Sequence, residues 1–237
     1  TLIFISHKLN EIMEITDRLS ILRGGKFMGV YETKDVTPEK ISRLMVGRDV
    51  VLQVQKDIAK PTDEILRVRD LHYVNDWGKK MLNGVSLSVR KGEILGIAGV
   101  EGNGQKELVD MLFGLNKPNE GTITMKGDNI IGLNQRQLRE KHISLVPEDR
   151  MLFGIAANAS IEENIISDRA DSKKMNKGLM FNMKNMHEET DALIKEYKVL
   201  CKSRDQKVGM LSGGNIQKVV VAREFSNEPD LIIADQP

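Results

Sequence analysis

The chain has 237 residues, room for one large domain or two small ones, and its 40% apolar content suffices for a real core. A net charge of +1 with 29% charged residues sets up no global field for nucleic acid, which is not expected as a partner. The single cysteine, Cys201, excludes an internal disulfide and suits a reducing cytoplasm, and no apolar run approaches the roughly 20 residues a membrane-spanning helix needs.

In chain order, residues 2–5 read as a buried strand and 8–16 as a helix with apolar Leu9, Ile12, Met13 and Ile15. Residues 18–23 and 26–32 predict a hairpin around Gly24-Gly25, and a short helix follows Pro38 with Ile41, Leu44 and Met45 on one face. Residues 48–63 mix charge, valine and one proline without helical periodicity, as a linker does. A new unit starts near Glu64: two antiparallel strands over 65–74 and 81–93, then 94–99 as a buried central strand. Residues 121–130 form another hairpin-like stretch, and 142–150 bring an apolar strand to a proline-acid turn. Residues 160–200 read as mostly helical from a Ser160 N-cap, and the methionines at 175, 180, 183 and 186 read as helix surface or core rather than a metal site. The chain opens on Thr1 inside one strand pattern and closes on Pro237 just after another, so it is expected to be an internal fragment of a longer protein.

Three stretches carry chemistry. Between the strand at 94–99 and a helix with apolar Leu108, Met111, Leu112 and Leu115 lies a Gly-rich loop. Its Gly99, Gly102 and Gly104, with Asn103, allow the tight turn and close backbone approach that cradling a phosphate requires. The usual loop ends Gly-Lys-Ser/Thr, the lysine reaching phosphate and the hydroxyl holding Mg²⁺. Here Gln105 stands in the lysine place, Lys106 in the hydroxyl place, and Glu107 follows, with Glu101 nearby. A pair of unit charges at ~4 Å is worth about 4 kcal/mol at an effective dielectric of 20, so losing half of it weakens phosphate binding roughly tenfold or more. Leu211, Ser212, Gly213 and Gly214 make a turn into a helix that carries Asn215 and Gln217; the N–H groups of such a turn suit an anion. The apolar run at 231–234 then closes on Asp235, a carboxylate placed to hold Mg²⁺ beside phosphates, and on Gln236.

Together these stretches resemble the ATP-binding cassette (ABC) ATPases. The resemblance implies an α/β fold: a P-loop NTPase cassette with an antiparallel β-subdomain and a helical subdomain, preceded by the C-terminal part of another cassette. Residues 1–47 would end the first cassette, 48–63 join the two, and 64–237 form a second cassette ending after its Walker B strand. The forms AGVEGNGQ, VPEDR and LSGGNIQK are similar to the tandem-cassette ATPases of bacterial simple-sugar and nucleoside importers, and LMVGRDV with EGNGQ leans towards the nucleoside branch.

What the resemblance implies for single residues follows the motifs. His7 would be the switch histidine of the first cassette, Glu148 would take the Q-loop glutamine place, and Asp235 would be the Walker B aspartate. Gln236 replaces the glutamate that polarises water and cannot accept its proton. Tyr73 is the candidate adenine-stacking aromatic, with Trp77 as alternative. ATP and Mg²⁺ are the implied ligands. Transmembrane permease subunits, a substrate-binding protein acting through them, and the complementary cassette are the implied partners, at the cytoplasmic face of the membrane. Because such cassettes pair head to tail, the signature at 211–214 would serve the site opposite, and the loop at 99–107 with Asp235 and Gln236 would form a degenerate one. The isolated fragment should hydrolyse little ATP. A soluble non-transport ABC protein and a catalytically inactive scaffold are the rival readings.

Overall fold

Two units make up the fold in the computed structural model, Thr1–Ile58 and Ala59–Pro237, with residues 2–6, 8–47, 58–178 and 180–236 described. Their division falls inside the span read as a linker, of which 48–57 lie outside the described residues and 58–63 carry neither helix nor strand.

In the first unit, helix α1 (Leu9–Ile15) precedes the antiparallel strands β1 (Arg18–Arg23) and β2 (Lys26–Glu32), joined at Gly24-Gly25 as the sequence predicts. Helix α2 (Pro38–Val46) starts at the Thr37 cap, whose side chain accepts from the Lys40 amide, and stops at Gly47. Leu19, Ile21, Val36 and Ile41 form its core, and Leu9, Ile12, Met13, Leu44 and Met45 pack against them. Ile15 is exposed, outside this set. The strand expected at 2–5 is not formed: Leu2, Ile3 and Ile5 are exposed and no described strand pairs with them. Apolar β-branched composition makes a strand only where a neighbour supplies the ladder.

The second unit opens with a four-stranded antiparallel sheet in the order β4-β3-β5-β6, built from β3 (Glu64–Val74), β4 (Lys80–Arg90), β5 (Glu120–Met125) and β6 (Asp128–Asn129). Between β4 and β5 runs helix α3 (Gln105–Leu112), whose Leu108, Met111 and Leu112 face the sheet's Leu66, Val68 and Ile123 in one core. Leu115 lies beyond the helix and is exposed, unlike the expected apolar face. Side chains such as Leu71, Ile123 and Ile143 are fully buried, each worth about 1.5–3 kcal/mol relative to exposure.

Helix α4 (Gln135–Glu140) leads into β7 (Ile143–Val146), and the last strand, β10 (Leu231–Ala234), pairs with β7 in parallel register, Leu231 opposite Ile143 and Ala234 opposite Val146. Residues 94–99 are the second strand that fails: Ile94, Leu95 and Ile97 are exposed and the segment joins no ladder among the described residues.

A separate apolar cluster centres on α5 (Ile161–Ile166), α6 (Met183–Glu196) and α7 (Gly213–Phe225). The 160–200 stretch is less helical than expected: between α5 and α6 the chain turns and forms a small hairpin, β8 (Asn176–Lys177) with β9 (Met180–Phe181). Asn176 fixes that turn by donating to the carbonyls of Ala170 and Ser172. Met175 and Met186 are core, whereas Met180 and Met183 are exposed.

Candidate nucleotide site

An open cleft of about 590 Å³ runs along the Gly-rich loop. The loop supplies Gly99, Gly102, Gly104, Gln105, Lys106 and Glu107; the end of β10 supplies Asp235 and Gln236, and the turn after β7 supplies Glu148. The parallel pairing is what gathers the acids. The Asp235 amide donates to the Val146 carbonyl at 2.9 Å, which sets the end of β10 beside Pro147 and Glu148. Gly104 caps α3 at φ +98°, and a Cβ there would lie 2.5 Å from the Met81 carbonyl oxygen, so only glycine lets the loop pass beneath the sheet.

Gln105 does not reach out of the loop. Its Nε2 donates to the Val100 carbonyl at 3.1 Å, and the amide lies so close over Gly99 that a Cβ on that glycine would be 2.2 Å from it. Lys106 points elsewhere, as expected from its place on the helix: its Nζ is 3.4 Å from Asp110 and sits over the Phe153 ring, 5.5 Å from the centroid. Burial pushes the Asp110 carboxyl up against the pull of Lys106, with Glu107 and Asp235 adding to the rise. The mouth is therefore acidic, with one nearby cation already engaged.

These residues fit phosphate and Mg²⁺ in part. The Gly-rich turn and the first amides of α3, which have no side-chain cap, present donors, and Asp235 presents a carboxylate. The cationic side chain and the hydroxyl are missing from the places where they would act.

The signature turn is a different surface. Ser212 is the N-cap of α7 without a capping bond of its own; its hydroxyl accepts from Asn215 Nδ2 at 2.8 Å, and Asn215 Oδ1 accepts the Leu200 amide at 2.9 Å. Leu211 anchors the turn in the helical core, Ser212, Gly213 and Gly214 are exposed, and none of the turn's residues lines the cleft. Gln217 bonds Arg150, whose Nη1 is 3.2 Å away. Tyr73, on β3 opposite Leu82 of β4, is half-buried against the core, and Trp77 is exposed in the turn joining the two strands; neither lines the cleft. Asn103 is exposed at the loop tip, and His7 lies outside the described residues.

Sequence reasoning missed Arg150, which closes the PEDR string and contacts α7. It also missed an ionic cluster behind β7. Glu224, fully buried, accepts both guanidinium nitrogens of Arg139 at 2.9 Å and the Nε of Arg223 at 2.9 Å, and Arg139 reaches Asp168 at 3.2 Å. Burial works against the Arg139 charge, but Glu224 and Asp168 outweigh it and raise its pKa. Arg223 and Glu224, charged residues that follow the apolar run Val219-Val220-Val221-Ala222 on α7, were a signal for it.

Residues 82–237 match the family model described as ABC transporter. Over its whole length the chain is 36% identical to a glucose import ATP-binding protein of Haloferax volcanii and 36% to a nucleoside import ATP-binding protein of Lactococcus lactis, covering 44% and 47% of them. It is 35% identical to a galactose/methyl galactoside import ATP-binding protein of Clostridium perfringens, covering 45% of it. The chain thus spans about half the length of the curated relatives it matches. Among solved structures, a dimeric ATP-binding cassette in a post-hydrolysis state bound to ADP and Pi superposes with a TM-score of 0.60 at 22% identity, over 72% of this chain and 73% of that one. A second cassette, in an ADP conformation, gives 0.56 at 24% identity, over 72% and 68%. Both likenesses concern the fold alone.

Proposed function

Because this chain belongs to the ABC transporter family of ATP-binding proteins, we propose that it is part of an ATPase subunit that powers import of a simple sugar or nucleoside through a membrane permease. Residues 1–47 end one cassette, 48–63 link, and 64–237 belong to a second cassette. Relatives of near-equal identity are named for glucose, nucleoside and galactose import, so the reading stops at the solute class. The subunit sits on the cytoplasmic face against permease subunits, which a substrate-binding protein serves in turn; among the described residues no helix is long and apolar enough to cross a membrane.

The two nucleotide sites of the paired cassettes are unequal in this reading. The observation that carries it is Gln105, folded onto Gly99 and bonded to Val100 inside the loop where a lysine would reach phosphate. Backbone donors of the Gly-rich loop and Asp235 hold MgATP weakly there, and Gln236 gives no general-base help. Bound MgATP supplies the phosphoanhydride that is split and the metal that neutralises developing charge. At the opposing site the exposed Gly213 and Gly214 would offer their amides, with the Ser212 hydroxyl, as donors to the γ-phosphate of the partner cassette's nucleotide. His7 belongs to that competent site. In the full-length subunit, Gly213→Phe should lower ATP hydrolysis at least tenfold more than Gln236→Ala does, the removal of a preorganised donor set being worth roughly 10²–10³. Equal losses in a steady-state phosphate-release assay would overturn the asymmetry.

A further inference from the structure

The PEDR string does more than end a strand. Pro147 is buried and closes β7, and Glu148 faces the cleft. Asp149 caps the next turn, its Oδ1 accepting the amides of Met151 at 2.9 Å and Leu152 at 3.0 Å. The turn, Arg150–Gly154, is wound as one π-helical turn, and its Phe153 lies under Lys106 of α3. In this arrangement Arg150 points at α7.

What it meets there is the signature turn. Arg150 Nη1 donates to Gln217 Oε1 at 3.2 Å, and a Cβ added to Gly213 would sit 3.1 Å from Arg150 Nη2. The guanidinium therefore spans the first turn of α7 from Gly213 to Gln217. Two further contacts lie on the same helix face. Gly154 packs against Val220, its added Cβ 3.2 Å from Cγ2, and the Ser144 hydroxyl donates to the Glu224 carbonyl at 2.9 Å. Positions 213, 217, 220 and 224 repeat at the helical spacing that makes one stripe. The stretch 144–154 lies along that stripe, and Arg150 is its end at the signature.

We propose that Arg150 is the positioning residue of the signature turn, fixing the first turn of α7 through Gln217 so that the amides of Gly213 and Gly214 keep their aim. The inference rests on the reading that this turn serves the opposing nucleotide. A planar guanidinium is required, because one rigid fork lies against Gly213 and holds Gln217 together, which a single ammonium does not. Only the aim of the donors changes when it is lost; the loop that binds the opposing nucleotide belongs to the other cassette.

The test is ATP hydrolysis by the full-length two-cassette subunit. Arg150→Ala should lower kcat by roughly 10- to 100-fold, as small misplacements of donors do, with KM for ATP within about twofold. Arg150→Lys should recover only part of kcat. Gln217→Ala should lose as much as Arg150→Ala, and the double variant no more than either, because both remove one device. If Arg150→Ala does not fold, Gln217→Ala with a melting temperature matched to the parent carries the test. A kcat within twofold of the parent in Arg150→Ala, or losses that multiply in the double variant, would overturn the role. Gly213→Phe run alongside separates the two readings. If it also leaves hydrolysis intact, the signature itself is not used; if it abolishes hydrolysis while Arg150→Ala does not, only the positioning role fails.

Discussion

At the scale of single residues, Gln105 decides what the Gly-rich loop can do. The loop backbone has the form of a phosphate cradle, yet the side chain that should lend a charge is a neutral amide lying over Gly99. Lys106 is one position too late: α3 turns it onto Asp110 and Phe153. Gln105→Lys should therefore strengthen binding of a fluorescent ADP analogue to the second cassette by roughly tenfold or more, since a restored ion pair at an effective dielectric of 20 is worth a few kcal/mol. Lys106→Gln should change it far less. A dissociation constant unmoved by Gln105→Lys would mean that the acids around the mouth, Glu101, Glu107 and Asp235, set the affinity.

Single elements show where sequence is sufficient. Helix α5 is a local object: Ser160 accepts the Glu163 amide at 3.0 Å and Glu163 accepts the Ser160 amide at 2.7 Å, a reciprocal capping box. The Ser160 backbone amide and then its hydroxyl hold the Glu163 carboxyl below its ordinary value of 4.5. A depressed carboxylate pKa contributes stability above the unfolded value and loses it as pH falls through the folded one. In acid unfolding followed by circular dichroism, Glu163→Gln should thus narrow the gap to wild type as pH drops below the ordinary carboxylate range. Ser160→Ala should cost about 1 kcal/mol at neutral pH; a gap independent of pH would remove Glu163 from the account. The same locality explains what was legible. The hairpin at Gly24-Gly25, the β3–β4 pair and the capped helices α2 and α5 each carry their cause within a few residues. Residues 2–5 and 94–99 have equally good strand composition and form none, because a buried strand is made by its neighbours and the ladder is not written in the segment itself. The site divides likewise. Of the residues motif order singled out, Gly99, Gly102, Gly104–Glu107, Glu148 and Asp235 line one cleft and Asn103 does not, while nothing in the spacing of Arg150 and Gln217 declared that they touch.

Across the second unit as a whole, one charged cluster ties the layers together. Glu224 on α7 is fully buried, and its carboxylate is shared by Arg139 from α4, Arg223 from α7 and the Leu145 amide of β7 at 3.4 Å. Asp168, after α5, takes Arg139 at 3.2 Å and Arg169 at 3.0 Å and also accepts from Asn227, while Arg169 goes on to Glu189 of α6 at 3.0 Å. The helical cluster and the β7–β10 sheet are joined by this path as well as by apolar packing. A buried pair is weak evidence for net stability, but removing one member strands the other in a low-dielectric interior. Arg139→Met should therefore cost about 1–3 kcal/mol in urea unfolding of residues 59–237, less than a fully broken pair, because Arg223 and the Leu145 amide still hold the buried carboxylate. Replacing both partners, Arg139→Met with Glu224→Leu, should cost more than Arg139→Met alone, since Glu224→Leu also leaves the buried Arg223 guanidinium without its carboxylate. The sign of the double variant decides the matter. If it is no less stable than Arg139→Met alone, the bonds from Glu224 to Arg223 and Leu145 add nothing, and the Arg139 pair is what holds α7 on the sheet.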